Sequence, residues 1–194
     1  IEGFGNVGRH AARCLTEKGA KLVAASDTGG TLYDPRGIDV EELTHIKATG
    51  GSVTGYGGGE KLSQTALFTQ ACDILIPAAR PDCIHADNAR EIKAKLILQG
   101  ANIPATPEAE RILHERGVLN LPDFICNAGG VICAAVEYRG GTESDALEDI
   151  DEKITRNTRD VLTRCREEKL QPRQAAVKLA RERVKVAMEL RADT

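Results

Sequence analysis

The chain has 194 residues, of which 41% are hydrophobic and 28% charged. That is enough for one generous domain of roughly 100 to 200 residues with a real core, and too apolar for a disordered polymer. A net charge of −3 and an aromatic share of 3% exclude an electrostatic footprint for nucleic acid or an anionic membrane, and with it a base-stacking platform. No apolar run reaches about 18 residues, so no transmembrane helix is expected. Cys14, Cys72, Cys83, Cys126, Cys133 and Cys165 are scattered without a C-x-x-C pair, which reads as free thiols in a reducing, cytoplasmic setting.

The chain opens on Gly3-Phe4-Gly5-Asn6-Val7-Gly8, a G-x-G-x-x-G spacing preceded only by Ile1 and Glu2. Without an initiator methionine or a signal peptide ahead of it, the chain is expected to be part of a larger protein, with most of its first strand upstream. Such a motif between a strand and a helix binds dinucleotides. Gly3 permits the tight turn, Gly5 lets a pyrophosphate approach the backbone, and Gly8 allows the helix to pack on the strand. The helix should run over Val7–Lys18, with Val7, Ala11, Cys14 and Leu15 on one face, and stop at Gly19.

A buried strand follows over Lys21–Ser26, ended by Asp27, which lies 19 positions after Gly8. An acid about 20 residues beyond the glycines hydrogen-bonds the adenosine ribose and repels a 2′-phosphate, favouring NAD, although a cation such as Arg36 could compensate. The alternative is a turn residue before Gly29-Gly30, with Thr28 between. A short helix over Val40–Thr49 ends at Gly50-Gly51. Gly50–Glu60 then reads as a flexible loop, or less simply as a second phosphate cradle.

Two further parallel strands are expected at Asp73–Pro77 and Lys95–Gln99. Each ends in small residues at the sheet edge that binds ligands: Ala78-Ala79 after the first, and Gly100-Ala101-Asn102 after the second. Thr106-Pro107-Glu108 is a helix start with a hydroxyl cap, a first-turn proline and an acid, and the helix should end at Gly117. Asn127-Ala128-Gly129-Gly130 opens another helix, either as a cap alone or as a cap that presents Asn127 to a ligand. Charged helices over about Asp145–Lys169 and Pro172–Leu190 close the chain, the second with a stripe of Val177, Ala180, Val184, Ala187 and Met188. His10, His45, His85 and His114 fall in charged or helical surface patterns, so no catalytic constellation is expected in this chain. The pattern predicts a doubly wound, Rossmann-like α/β domain with a mostly parallel sheet over residues 1–139. A helical segment over 140–194 would pack on it or on another domain.

Six separated segments, GFGNVG at Gly3–Gly8, Ser26-Asp27 with Tyr33–Asp39, DILIPAA at Asp73–Ala79, Gly100–Asn102, TPEAE at Thr106–Glu110 and PDFICNAGGV at Pro122–Val131, together resemble the cofactor-binding domain of the glutamate, leucine, phenylalanine and valine dehydrogenases. The resemblance runs over nearly the whole chain and lies nearest the glutamate enzymes. It implies hydride transfer between the α-carbon of an amino acid and NAD, with NADP as a second cofactor, giving a 2-oxo acid and ammonia. It also implies a homo-oligomer, a hexamer in the family. Gly3, Phe4, Gly5, Asn6, Val7 and Gly8 would line the pyrophosphate, and Asp27 with Thr28 the adenine ribose. Ala78 and Ala79 would flank the cofactor, with Asn102 at the nicotinamide ribose and Asn127 at the carboxamide and the substrate. The family's catalytic lysines and aspartate lie in a preceding domain. Where glutamate enzymes present a hydroxyl to the substrate's side-chain carboxylate, this chain has Ala134. Glutamate leads as substrate, with branched-chain and aromatic amino acids open, and a non-catalytic NAD-sensing module is the rival reading.

Overall fold

Glycines, a proline and polar caps set the element boundaries much as their backbone preferences dictate. A computed structural model describes residues 1–192. The chain forms two compact units, residues 1–120 and residues 121–194.

In the first unit, α1 (Asn6–Glu17) starts inside the glycine motif and stops where Gly19 takes φ +88°. The following strand is β1 (Ala24–Asp27), and β2 (Gly30–Tyr33) returns beside it after a turn. Asp39 caps α2 (Val40–Ala48) by accepting the Glu42 N–H, with Glu41 and Glu42 complementing the helix dipole. Then come β3 (Glu60–Leu62) and β4 (Ile74–Leu75), with 3-10 turns at Val53–Gly55 and Gln64–Thr69. A four-residue α3 (Ala86–Ala89), β5 (Leu96–Leu98), α4 (Pro107–Glu115) and β6 (Leu119–Leu121) complete the order. Thr106 caps α4 by accepting the Ala109 N–H, and Pro107 occupies its first turn, as the sequence predicts.

The sheet is less uniform than the expected parallel one. β1, β2 and β3 form an antiparallel set, while β4 and β5 pair in parallel in the set β4-β5-β6. The antiparallel flank arises at Asp27–Gly30. The Asp27 carboxylate accepts the Gly29 N–H at 2.8 Å, and Gly30 takes φ +132°, which turns the chain straight back. The parallel part is completed by Glu2, which bridges in parallel to both Ser26 and Pro77.

Helices cover both faces. Ala24 and Ala25, successive on β1, point into different cores, as a period of two requires. Ala25 joins Phe4, Ala12, Leu32 and Leu43 on the α1/α2 side, and Ala24 joins Leu75, Ile84, Ile97, Ile112 and Leu113 on the α3/α4 side. Helices on both faces of a sheet with a parallel centre make this a doubly wound α/β fold.

The second unit is helical: α5 (Asp123–Cys126), α6 (Gly129–Tyr138), α7 (Glu143–Glu168) and α8 (Pro172–Ala192). A reciprocal Thr142–Asp145 capping box starts α7. Lys169, at φ +54°, turns the chain into α8, and Arg164–Glu182 and Arg183–Asp160 pairs join the two helices. The apolar stripe read from α8 is not what it buries. Val184 and Met188 are 59% and 66% exposed, whereas Ala175, Ala176 and Leu179 are buried. Small residues near the proline allow close helix packing, and the larger apolar residues lie beyond the buried stretch. Among the described residues no helix is long and apolar enough to cross a membrane, and all six cysteines are free.

Candidate dinucleotide site

In the first unit, the site begins with three glycines doing three different things. Gly3 has φ +87°, and a Cβ there would lie 2.5 Å from the Ala79 Cβ. A Cβ on Gly8 would lie 2.0 Å from the Gly3 carbonyl oxygen, so only glycine lets α1 sit against the turn. A Cβ on Gly5 would meet nothing within 4 Å. Gly5 is exposed at the α1 N-terminus, which no side chain caps. An open backbone in front of unfilled helix N–H groups is the arrangement that a pyrophosphate requires, so the residues present fit the dinucleotide the motif implies.

Gly100 ties this turn to the ends of β4 and β5. Its added Cβ would lie 3.3 Å from Val7 Cγ1 and 3.4 Å from the Ala78 Cβ. The Ala78 N–H donates to the Glu2 carbonyl at 2.8 Å, and the Gly100 N–H to the Pro77 carbonyl at 3.0 Å. Gly3–Gly8, Ala78-Ala79 and Gly100, read separately from the sequence, are thus one cluster. Asn102 follows on an exposed turn, and Val7 is half-exposed. The Asn6 side chain accepts from Arg9 at 2.7 Å. Phe4 differs: its ring is 1% exposed and its N–H donates to the Ser26 carbonyl, so it anchors the motif in the core.

Asp27 ends β1 with its carboxylate already engaged. Oδ1 accepts from Ser52 Oγ at 2.7 Å and from the Gly29 N–H, and Oδ2 accepts from Lys47 Nζ at 2.5 Å and from the Val53 N–H at 2.9 Å. Burial pushes this carboxyl up, but the bonds from Lys47, Ser52, Val53 and Gly29 together outweigh it and hold it below the usual aspartate range. Asp27 thus makes the turn into Gly29-Gly30 and stands at the strand end beside exposed Thr28. Lys47 pairs with the Asp27 carboxylate, whereas the Arg36 guanidinium pairs with Asp34. The glycine-rich loop has a structural task as well: Ser52 and Val53 close over Asp27.

Sequence reasoning missed two supports. Glu2 is 2% exposed, and its carboxylate accepts the Ala79 N–H at 3.1 Å with Arg80 4.0 Å away. Burial raises its pKa against the pull of those partners. Gln99, at the end of β5, donates to Glu110 Oε1 at 2.9 Å and to Asn120 Oδ1 at 3.0 Å, all three buried. This holds the strand that leads into Gly100-Ala101-Asn102. Nothing in the local pattern marks either set, because the partners lie far apart in sequence.

In the second unit, Asn127 does not open a helix as its setting suggests: it closes α5 by donating its N–H to the Asp123 carbonyl at 2.7 Å, α6 starts from Ala128 without a side-chain cap, and Ala134 lies on an exposed position of α6. Arg173 pairs with Asp123 at 3.1 Å. His10, His45, His85 and His114 are all exposed.

The model of the Glutamate/Leucine/Phenylalanine/Valine dehydrogenase family matches residues 1–192. The chain belongs to that family. A glutamate dehydrogenase of Aeropyrum pernix is 46% identical over 98% of this chain and 48% of its own length. An NADP-specific glutamate dehydrogenase of Saccharolobus shibatae is 42% identical over 79% of this chain and 36% of its own. Among solved structures, the hetero-hexameric glutamate dehydrogenase of Thermus thermophilus in its leucine-bound form superposes with a TM-score of 0.85 at 28% identity, over 98% of this chain and 46% of that one. The chain therefore spans about half the length of the amino-acid dehydrogenases it matches, and the doubly wound fold is the one these dehydrogenases share.

Proposed function

We propose that this chain is the NAD(P)-binding half of an amino-acid dehydrogenase, and that the complete enzyme interconverts L-glutamate with 2-oxoglutarate and ammonia. The observation that carries this reading is the glycine cradle, in which Gly5 stays open at an uncapped helix N-terminus while Gly3, Gly8 and Gly100 are packed tight. The α1 N–H groups and dipole would hold the pyrophosphate. Ala78 and Ala79 would leave room for the flat nicotinamide, Asn102 would meet its ribose, and Asn127 its carboxamide and the substrate. Asp27 would take the adenine ribose by exchanging one of its present partners. Lys47 offsets its charge, so NAD leads and NADP is also accepted.

A bound nicotinamide dinucleotide supplies the hydride acceptor for the substrate α-carbon. This chain's residues bind and orient, and the acid–base work belongs to residues outside it. Ala134 offers the substrate no hydroxyl donor, which weakens but does not remove the preference for glutamate. We further infer an oligomeric enzyme, as the hetero-hexameric Thermus thermophilus relative is, composed of copies of one chain as the family resemblance implies, and a cytoplasmic one, where six free cysteines stay reduced.

The test is a fluorescence titration of the complete enzyme with NADH and NADPH, followed by turnover with L-glutamate, L-leucine and L-phenylalanine. Saturable binding and highest kcat/KM with glutamate are expected, while this chain alone should not turn over. Absence of binding, or a preference for another amino acid, sinks the corresponding part of the reading.

A further inference from the structure

Asn127 sits on a segment with little rigidity of its own. α5 is a single four-residue turn, and a lone helical turn does not hold its shape in water without outside contacts. α7 packs against α5, and α8 adds a side-chain grip on it. Arg173, in the first turn of α8, places a guanidinium nitrogen 3.1 Å from Asp123 Oδ1, and its guanidinium carbon lies 5.7 Å from the centre of the Phe124 ring. The side chains of Arg173 and Asp123 are 28% and 10% exposed, so solvent screens the pair weakly. The backbone of Asp123 in turn accepts the Asn127 N–H at 2.7 Å.

We propose that Arg173 is a positioning residue: by gripping Asp123 and stacking on Phe124 it fixes α5 from α8 and sets the direction in which Asn127 presents its amide. The inference rests on the assignment of Asn127 proposed above. It gives the C-terminal hairpin a part in the reaction that its amphipathic pattern alone does not suggest. The residue type matters, because a planar guanidinium can pair with a carboxylate and stack on a ring at once, whereas a lysine keeps only the charge. Phe124 is 39% exposed, so the stack serves the turn more than the core.

The test is a double-mutant cycle in the complete enzyme, measuring kcat/KM for the amino acid, NADH affinity and Tm. Arg173→Gln should lower kcat/KM about tenfold and NADH affinity about threefold, since Asn127 is assigned to the carboxamide as well as the substrate, and Arg173→Lys should recover part of both losses. In an Asn127→Ala background the same Arg173→Gln change should cost less than about twofold, because its route to the substrate is gone. An equal loss in both backgrounds overturns the proposal, since Arg173 would then act as general scaffolding. If Asn127→Ala leaves kcat/KM unchanged, the assignment of Asn127 itself falls. Should Arg173→Gln fail to fold, Phe124→Leu, which removes only the stack, carries the same cycle with the same criteria.

Discussion

Lys47 on α2 reaches the carboxylate of Asp27 at the end of β1, Nζ to Oδ2 at 2.5 Å, so the acid proposed for the adenine ribose is also a neutralised one. A carboxylate has about four acceptor positions, and Asp27 fills them with Lys47, Ser52 and the Val53 and Gly29 N–H groups. Cofactor choice should therefore depend on both members of the pair. Asp27→Ser leaves the ammonium free and should tighten NADPH relative to NADH. Lys47→Ala leaves the carboxylate uncompensated and should weaken NADPH about tenfold relative to NADH, the ~1.4 kcal/mol scale of a charge-assisted contact. Fluorescence titrations with both cofactors check this, and an unchanged ratio in both variants removes the pair from the ribose.

The same pair makes stability depend on pH. The folded-state pKa of Asp27 lies below its unfolded value of about 3.9, so its contribution is complete above that value and is lost as pH falls through the folded pKa. Asp27→Asn should be less stable than the parent at pH 7, and the gap should close below about pH 4. Urea midpoints between pH 3 and 7 decide it, with a constant gap counting against the idea.

Gly5 and Gly8 should separate folding from binding. Gly8→Ala drives a Cβ into the Gly3 carbonyl and should cost about 2–4 kcal/mol of stability. Gly5→Ala meets no neighbouring atom, so Tm should hold while NADH affinity falls. A Gly5→Ala protein that binds NADH normally would place the pyrophosphate elsewhere.

Thiol chemistry should follow burial. Cys83 is 4% exposed, and burial, with Glu2 adding to it, pushes its thiol up to about 12, while Cys14 is exposed. Brief iodoacetamide treatment at pH 8 should label Cys14 and spare Cys83 by peptide mass analysis. Equal labelling would mean that the packing around Glu2 opens readily.

Ala134→Ser restores a small hydroxyl on α6. Since one hydrogen bond is worth on the order of 1 kcal/mol, kcat/KM for glutamate should rise about fivefold against leucine. No change would move the substrate carboxylate away from this position.

How much of this was legible beforehand follows from the range of each interaction. α1, α2 and α4 were readable, and with α4 its cap, because a helix start depends on residues within one turn, as Thr106-Pro107 illustrates. The antiparallel return at β2 went unread because it follows from one Asx turn and one positive φ at Gly30. The loop around Ser52 had no visible role, since its partner Asp27 lies 25 positions away.

The sequence by itself determined the glycine spacing, the acid at the strand end, the span of α1, α2 and α4 and the family. These are local backbone requirements, and they survive without knowledge of the packing. Only the tertiary structure decided that Asp27 carries Lys47, that Glu2 underpins Ala79, that Gln99, Glu110 and Asn120 share one buried network, and that Arg173 grips the turn before Asn127. In each of these sets the partners are distant in sequence, and what joins them is the need of buried polar groups to be satisfied, which acts on spatial neighbours alone.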